Sequence, residues 1–206
     1  MAIQFVGGAY ALGSSSNFSV SLTALAGGIG TAAQAGDLVI VLNACAGTGS
    51  RALGVTSTGY TEVADLYADD TSDTDLSVSY RVMPASPDTT VGVTASAGTA
   101  YGAIGIVHVY RGVHPTSPMD VTPTTATGTN SSIPDGPSIT PATNGATVVV
   151  CGAGAYTSAD TSVTAPTNYT NQTNNSTDPG TAIIAAIVSR ANLGSGTAED
   201  PAAWTG

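Results

Sequence analysis

The second half of the chain repeats the first half at a fixed offset of 109 residues. The matching positions include residues 36–41 with 145–150, Tyr60 with Tyr169, and Arg81 with Arg190. Between residues 36–84 and 145–193, 11 of 49 positions are identical without a gap. The excess over chance is modest in a chain rich in Ala, Thr, Gly and Ser, and the shared order of strand, turn and strand carries more weight. Two similar four-strand units in one body predict a jelly-roll-like antiparallel β-sandwich.

The composition favours strands over helices. The chain has no Lys, only two Glu and four Arg, while β-branched residues and turn formers are abundant. No window of about 11 residues or more shows a convincing helical apolar period. The apolar runs and alternating patterns instead predict strands at residues 4–11, 18–25, 38–42, 76–82 and 103–110. The predicted fold class is therefore all-β.

We expect a single domain over residues 1–206, with halves at about 1–111 and 128–206 joined by a Pro-rich crossover at 112–127. Six of the eleven prolines fall within residues 112–145, and proline removes hydrogen-bond donors from a sheet. This composition is typical of the overhead connection of a Greek key. A linker between two independent domains is the alternative, although each half alone would have a thin core.

The repeat also predicts a counterpart of the strand at residues 101–110 near positions 210–219, beyond Gly206. Either the natural chain continues, or this position in the sheet is left open. An open position exposes an unpaired strand edge, which accepts a strand from a neighbouring subunit.

The charge balance argues against several classes of partner. The formal net charge is −10, and four scattered Arg residues cannot neutralise a nucleic-acid backbone or bind an anionic membrane surface. The first residues show no basic region followed by a long apolar stretch, and no apolar run is long enough to span a membrane. We expect synthesis in a bacterial cytoplasm, with Cys45 and Cys151 as small buried residues rather than a disulfide.

An acidic cluster occupies residues 65–75, with five carboxylates in eleven residues. Calcium is held by several oxygen ligands from flexible loops, and Asp69, Asp70 and Asp73 are the best candidates here. The spacing does not fit the helix–loop–helix calcium pattern, so a solvated loop between strands is the favoured interpretation. We predict no resident metal and no cofactor.

Tyr60, Tyr169 and Trp204 are candidates for stacking on sugar rings, provided that they lie together on an exposed face. Aromatic residues at strand ends more often cap a sandwich core. His108 falls on the apolar positions of a predicted strand, without a nearby nucleophile or orienting carboxylate. It is therefore interpreted as a core histidine, and the sequence predicts no catalytic residue.

Several stretches are family-like: residues 35–41, 58–61, 79–83, 109–115 and 118–120. Together they resemble a family of small β-sandwich proteins encoded among the structural genes of tailed bacteriophages and prophages. The usual Trp of the second stretch is Tyr60 here, and the closing strand after residues 202–205 is absent. The resemblance implies no enzymatic activity and a location in the virion, decorating the head or forming part of the tail or fibre. It implies contacts with capsid or tail proteins and with copies of the same chain, in a homo-oligomer, and suggests that Arg111 and Asp120 pair to hold the crossover.

Two other functions remain open at this point. A carbohydrate-binding module or adhesin would share the sandwich but needs several exposed aromatic side chains or a bound calcium ion. A β-sandwich hydrolase needs a pair of carboxylates across a cleft, which a chain with only Glu62 and Glu199 beside clustered Asp residues does not favour.

Overall fold

The computed structural model describes residues 2–14, 16–69, 73–95, 102–128, 133–156, 162–177 and 182–205. Within these residues the chain forms ten strands and no helix, which confirms the all-β prediction. The strands are β1 (Gln4–Gly13), β2 (Phe18–Ser21), β3 (Leu38–Gly47), β4 (Thr61–Ala68), β5 (Asp73–Val82), β6 (Thr90–Val93), β7 (Gly102–Arg111), β8 (Ala146–Tyr156), β9 (Thr170–Ser176) and β10 (Ala182–Leu193).

The strands form three antiparallel sheets. The first sheet has the order β1-β7-β3-β5-β4, the second has the order β8-β10-β9, and a small third sheet pairs β2 with β6. β3 lies at the centre of the first sheet, and all ten of its residues are buried. The continuous apolar run at residues 38–42 is the pattern expected of a strand that is covered on both faces.

The second sheet packs face to face on the first sheet. β9 lies over β1, β10 over β7 and β3, and β8 over β5. The core between the two sheets is built from small and branched side chains, including Leu42, Ile104 and Ile106 of the first sheet and Ile183 and Ile187 of the second. The structure is therefore a β-sandwich with a core of small and branched apolar residues.

Both outer faces of the sandwich are also covered. The third sheet packs on the outside of the first sheet, where Val20 and Val91 meet Val39 and Val107. Trp204 and other segments without regular structure pack on the outside of the second sheet. The interior therefore consists of several thin apolar layers rather than one thick core.

Three strands recur at the sequence offset. β8, β9 and β10 begin within one residue of the positions that lie 109 residues after the starts of β3, β4 and β5, and they follow the same order in their sheet. The turns before β4 and β9 share a left-handed residue, with φ of 84° at Gly59 and 71° at Asn168. Both strand pairs also have a register shift at the equivalent place, between Glu62 and Ala64 and between Ile187 and Ser189.

The remaining strands do not follow the repeat. β1, β2, β6 and β7 have no counterpart in the described residues after 112, so the sheets contain five, three and two strands rather than two sets of four. The jelly-roll connectivity and the two similar four-strand halves therefore remain an interpretation of the repeat.

The proline-rich connection runs over the surface between β7 and β8. Its described parts, residues 112–128 and 133–145, contain no strand, and Ile139 makes an isolated bridge to Glu199. This is the behaviour expected of a segment whose prolines lack ladder donors.

Candidate functional site

The predicted pair of Arg111 and Asp120 does not form. Arg111 donates two hydrogen bonds of 2.8 Å to the carboxylate of Asp37, which is almost fully buried. Asp120 instead accepts hydrogen bonds from the backbone N–H of Ala142 at 2.7 Å and of Thr143 at 3.2 Å. The pairing is wrong because the end of β7 lies beside the start of β3, which places Asp37 within reach of the guanidinium group. Asp120 still holds the crossover, by tying its beginning to its end.

The acidic cluster is divided between surface and sheet. Asp69 is exposed after β4, and Asp70 lies outside the described residues. Asp73 is the buried first residue of β5 and accepts a hydrogen bond from the backbone N–H of Gly49. Asp75 accepts one from the backbone N–H of Arg51 at 2.8 Å, and burial raises the pKa of its carboxyl group. These two carboxylates therefore hold the loop after β3.

No group of three or more His, Cys, Asp or Glu side chains within the described residues is arranged to hold a metal ion. Asp69 is exposed beyond the end of β4, whereas Asp73 is buried at the start of β5 and hydrogen-bonded to Gly49, so these two candidates do not share one site.

The aromatic candidates face the interior. Trp204 is 1% exposed and Tyr169 is 6% exposed, and both belong to the core outside the second sheet. The Tyr169 hydroxyl donates to the Glu199 carboxylate at 3.0 Å. Tyr60 is partly buried against the core outside the first sheet, with the Arg81 guanidinium over its ring. The three rings do not share an exposed face on which a sugar could stack.

His108 bridges the two sheets from the middle of the core. Its ring nitrogens lie 3.0 Å from the Tyr110 hydroxyl and 3.0 Å from the Thr173 hydroxyl, and its side chain is fully buried. The Phe5 ring lies 4.8 Å away, between centroids. Burial lowers the pKa of the imidazole to about 3. The side chain is therefore a neutral, hydrogen-bonded part of the core, as its position in the sequence predicted.

A groove of about 1380 Å³ runs along β8 on the opposite side of the sandwich. Its floor is the inner face of β4 and β5, including Ala64, Leu66, Leu76 and Val78. The first sheet has five strands and the second has three, so β4 has no strand of the second sheet above it. The groove fills the space that this difference leaves.

The wall of the groove is the edge strand β8. β8 pairs with β10 and with no other described strand. Its inward-facing residues Val149, Cys151, Ala153 and Ala155 are only partly buried. The inward-facing Ile183 and Ile187 of the neighbouring strand are completely buried. The backbone edge of β8 and its apolar side chains therefore both border the groove.

The groove also extends to the outer side of β8. Val148 and Val150 line it there, together with Pro134 and Trp204. Crossover residues 112–128 border the groove without pairing with β8. The groove therefore follows both faces of one strand edge, unlike a closed pocket between the sheets.

The charges around the groove are of one sign. Asp120, Asp135 and Asp200 line it and are exposed. None of the described lining residues is Arg, and the chain has no Lys. His114 also lines the groove, where its Nδ1 accepts a hydrogen bond from the backbone N–H of Ser117 at 3.1 Å. The rim of this apolar groove is therefore acidic.

The repeat predicted that the counterpart of the strand at residues 101–110 either lies in a longer natural chain or leaves an open position in the sheet. No described strand pairs with the edge of β8 at the corresponding place, and both alternatives stay predictions. Sequence reasoning missed Asp37 as the partner of Arg111 and Thr173 as the partner of His108. A Gly-Asp pair directly before an apolar strand was the available signal for Asp37, whereas Thr173 gave none because its contact depends on how the sheets stack.

None of the described segments is a helix with the length and hydrophobicity needed to cross a membrane. No family model matches the chain, and no match is found among curated proteins or among solved structures.

Proposed function

We propose that the chain is a non-enzymatic structural protein of a tailed-phage virion, which decorates the head or forms part of the tail or fibre. The observation that carries the proposal is the long apolar groove beside an unpaired strand edge, because open edges and apolar grooves are surfaces for protein–protein contact. The phage-like segments at residues 35–41 and 109–115 point to the same setting.

The working surfaces in this proposal are sheet edges and loops that bind other virion proteins and copies of the chain. A sandwich of small side chains suits a rigid packing module. The buried carboxylates of Asp37 and Asp73 accept hydrogen bonds from the protein's own backbone, which is typical of a structural role. Asp75 accepts one such bond through Oδ1, while its Oδ2 is buried without a hydrogen-bond partner among the described residues.

Mass spectrometry of purified particles tests this proposal. Particles of the phage or prophage whose genome encodes the chain should contain its peptides in a fixed ratio to the major capsid protein. Light scattering of the purified chain should give a mass above that of one 20.1 kDa copy. Absence of the chain from washed particles would contradict the proposal.

A carbohydrate-binding module is the second candidate. It is disfavoured here because Tyr169 and Trp204 are buried, and a sugar would need other rings. Glycan-array binding that is lost on substitution of an exposed aromatic residue such as Tyr10, which is 50% exposed, would favour it.

A further inference from the structure

We propose that the free edge of β8 and the groove beside it form a slot for one extended strand of a partner protein, and that this strand carries Lys or Arg near its ends. The inference rests on the proposed function, because it says where a structural protein of this kind would bind a neighbour. It names the binding site, the backbone hydrogen bonds by which the partner strand would pair with β8, and the charge of the partner.

The first sheet shows what fits beside such an edge. β3 pairs with β5 on one side and with β7 on the other, antiparallel in both cases. β8 begins within one residue of the position that corresponds to β3 in the repeat, and it pairs with β10, the counterpart of β5. The position beside β8 that no described strand fills is thus the equivalent of the one that β7 fills beside β3.

The shape of the groove suits a strand better than a compact ligand. β8 has 11 residues, so its edge extends for about 35 Å at roughly 3.3 Å per residue. An added strand would direct alternate side chains to the two faces of the sheet. The groove offers partly exposed apolar side chains on both faces, at Leu66 and Val78 on the inner side and at Pro134 on the outer side.

The charge selects the kind of partner. The exposed Asp120, Asp135 and Asp200 line the groove, and no described lining residue carries a permanent positive charge to balance them. The chain has no Lys and only four Arg residues, so a strand from a second copy would bring little positive charge to this rim. A strand with cationic ends is attracted to the same rim, which favours a different protein over a second copy.

The experiment uses the full chain and a synthetic peptide. The peptide has the sequence of β7, residues 102–111, with two lysines added at each end. One control peptide has glutamates in place of the lysines. A second has N-methyl groups on all amides of residues 102–111, which removes the backbone N–H donors from both of its edges. We expect the lysine peptide to bind at least roughly tenfold more tightly than either control in calorimetry. Its advantage over the glutamate peptide should shrink at high salt.

Variants of the protein locate the binding site. Ala64→Gln places a longer polar side chain on the groove floor, and Ala52→Gln makes the same change at an exposed residue that does not line the groove. The first substitution should weaken peptide binding by roughly tenfold and the second should leave it unchanged. Both variants should unfold at the same urea concentration as the parent chain, which separates loss of binding from loss of folding.

Hydrogen exchange of the β8 amides tests whether the partner strand binds through backbone hydrogen bonds to β8. The backbone amides of residues 147–155 that point away from β10 should exchange rapidly in the free protein. They should become protected when the peptide binds. Protection in the free protein at low concentration would mean that the crossover already fills the slot, and would overturn the inference. Concentration-dependent protection with a doubled mass would assign the slot to a second copy, which also overturns it.

The failures of the two proposals can be told apart. If the chain is found in particles but binds the three peptides equally weakly, only the slot is refuted. If the lysine peptide binds and protects β8 but the chain is absent from particles, the slot stands and the virion role is refuted.

Discussion

The two long sides of this sandwich differ in how they are closed. On one side, called here the closed side, β1 and β7 meet β9, and His108 joins the sheets through Thr173. On the other, the open side, β8 stands above β5 and leaves β4 and the groove uncovered. The inner side chains are fully buried in the middle of the core and partly buried along β8. The side chains also differ, because rings such as Phe5 and His108 and the polar residues of β9 line the closed side, whereas small apolar side chains of β8 line the open side.

The largest expected effect contrasts the middle of the core with the open side. Ile187→Ala removes a completely buried side chain and should lower the free energy of unfolding by about 4 kcal/mol. Val149→Ala removes a partly buried one beside the groove and should cost about 1 kcal/mol. Urea denaturation measures both values. Equal losses would show that the open side is as tightly packed in solution as the middle.

A smaller effect is expected where the closed side is tightest. A methyl group at Gly8 would overlap the Thr173 hydroxyl and crowd the His108 ring. Gly8→Ala should therefore destabilise the fold by about 2 kcal/mol, because β9 must move away from β1. Thermal unfolding tests this, with Gly128→Ala as the control, since a methyl group there meets no atom of the described residues within 4 Å. If Gly8→Ala left the temperature of unfolding unchanged, the contact between β1 and β9 would be less tightly packed than the structure shows.

The pH dependence of the free energy of unfolding tests the burial of His108 on the closed side. Burial lowers the pKa of His108 to about 3 in the folded protein, whereas an unfolded histidine titrates near 6.5. The unfolded chain therefore binds the additional proton first, and stability is complete above pH 6.5 and falls as the pH decreases toward 3. The expected slope for this one group is about 1.4 kcal/mol per pH unit below pH 6.

Urea titrations at pH 7, 6 and 5 measure this slope. His108→Leu should remove it while keeping an apolar side chain of similar size in the core. A parent protein whose stability is constant from pH 7 to pH 5 would contradict the assignment of a neutral, buried imidazole.

The smallest effect is expected on the floor of the groove. Ala64 is partly buried beside open space, so Ala64→Gln should change the free energy of unfolding by less than about 0.5 kcal/mol. A loss above about 2 kcal/mol would indicate that the groove is closed by protein atoms in solution.

Much of the fold could be predicted from short-range patterns. The apolar run that begins at Leu38 predicted a strand covered on both faces, and all ten residues of β3 are buried. The prolines at residues 112–145 predicted a crossing connection with at most a short edge strand, and the described parts of that segment contain no strand. These features are local, since they depend on the backbone donors and the alternation of side chains within one segment.

The candidate site was predictable only in part. The repeat indicated either a longer natural chain or an open position in a sheet, and nothing in the sequence placed Leu66 and Val78 beside the groove. Sequence reasoning paired Arg111 with Asp120, nine residues away, whereas the partner is Asp37, 74 residues away. Long-range partners of this kind depend on which strands are neighbours in the sheet.

The sequence by itself determined that the chain forms strands, where its central strand lies, and that its surface is acidic and almost free of basic groups. The tertiary structure alone decided that Tyr169 and Trp204 are core residues, that His108 is held between two hydroxyl groups, and that one strand edge faces an apolar groove. The physical reason is that strand formation follows from local side-chain and backbone preferences, while burial and pairing depend on the stacking of two sheets whose contacts come from distant parts of the chain.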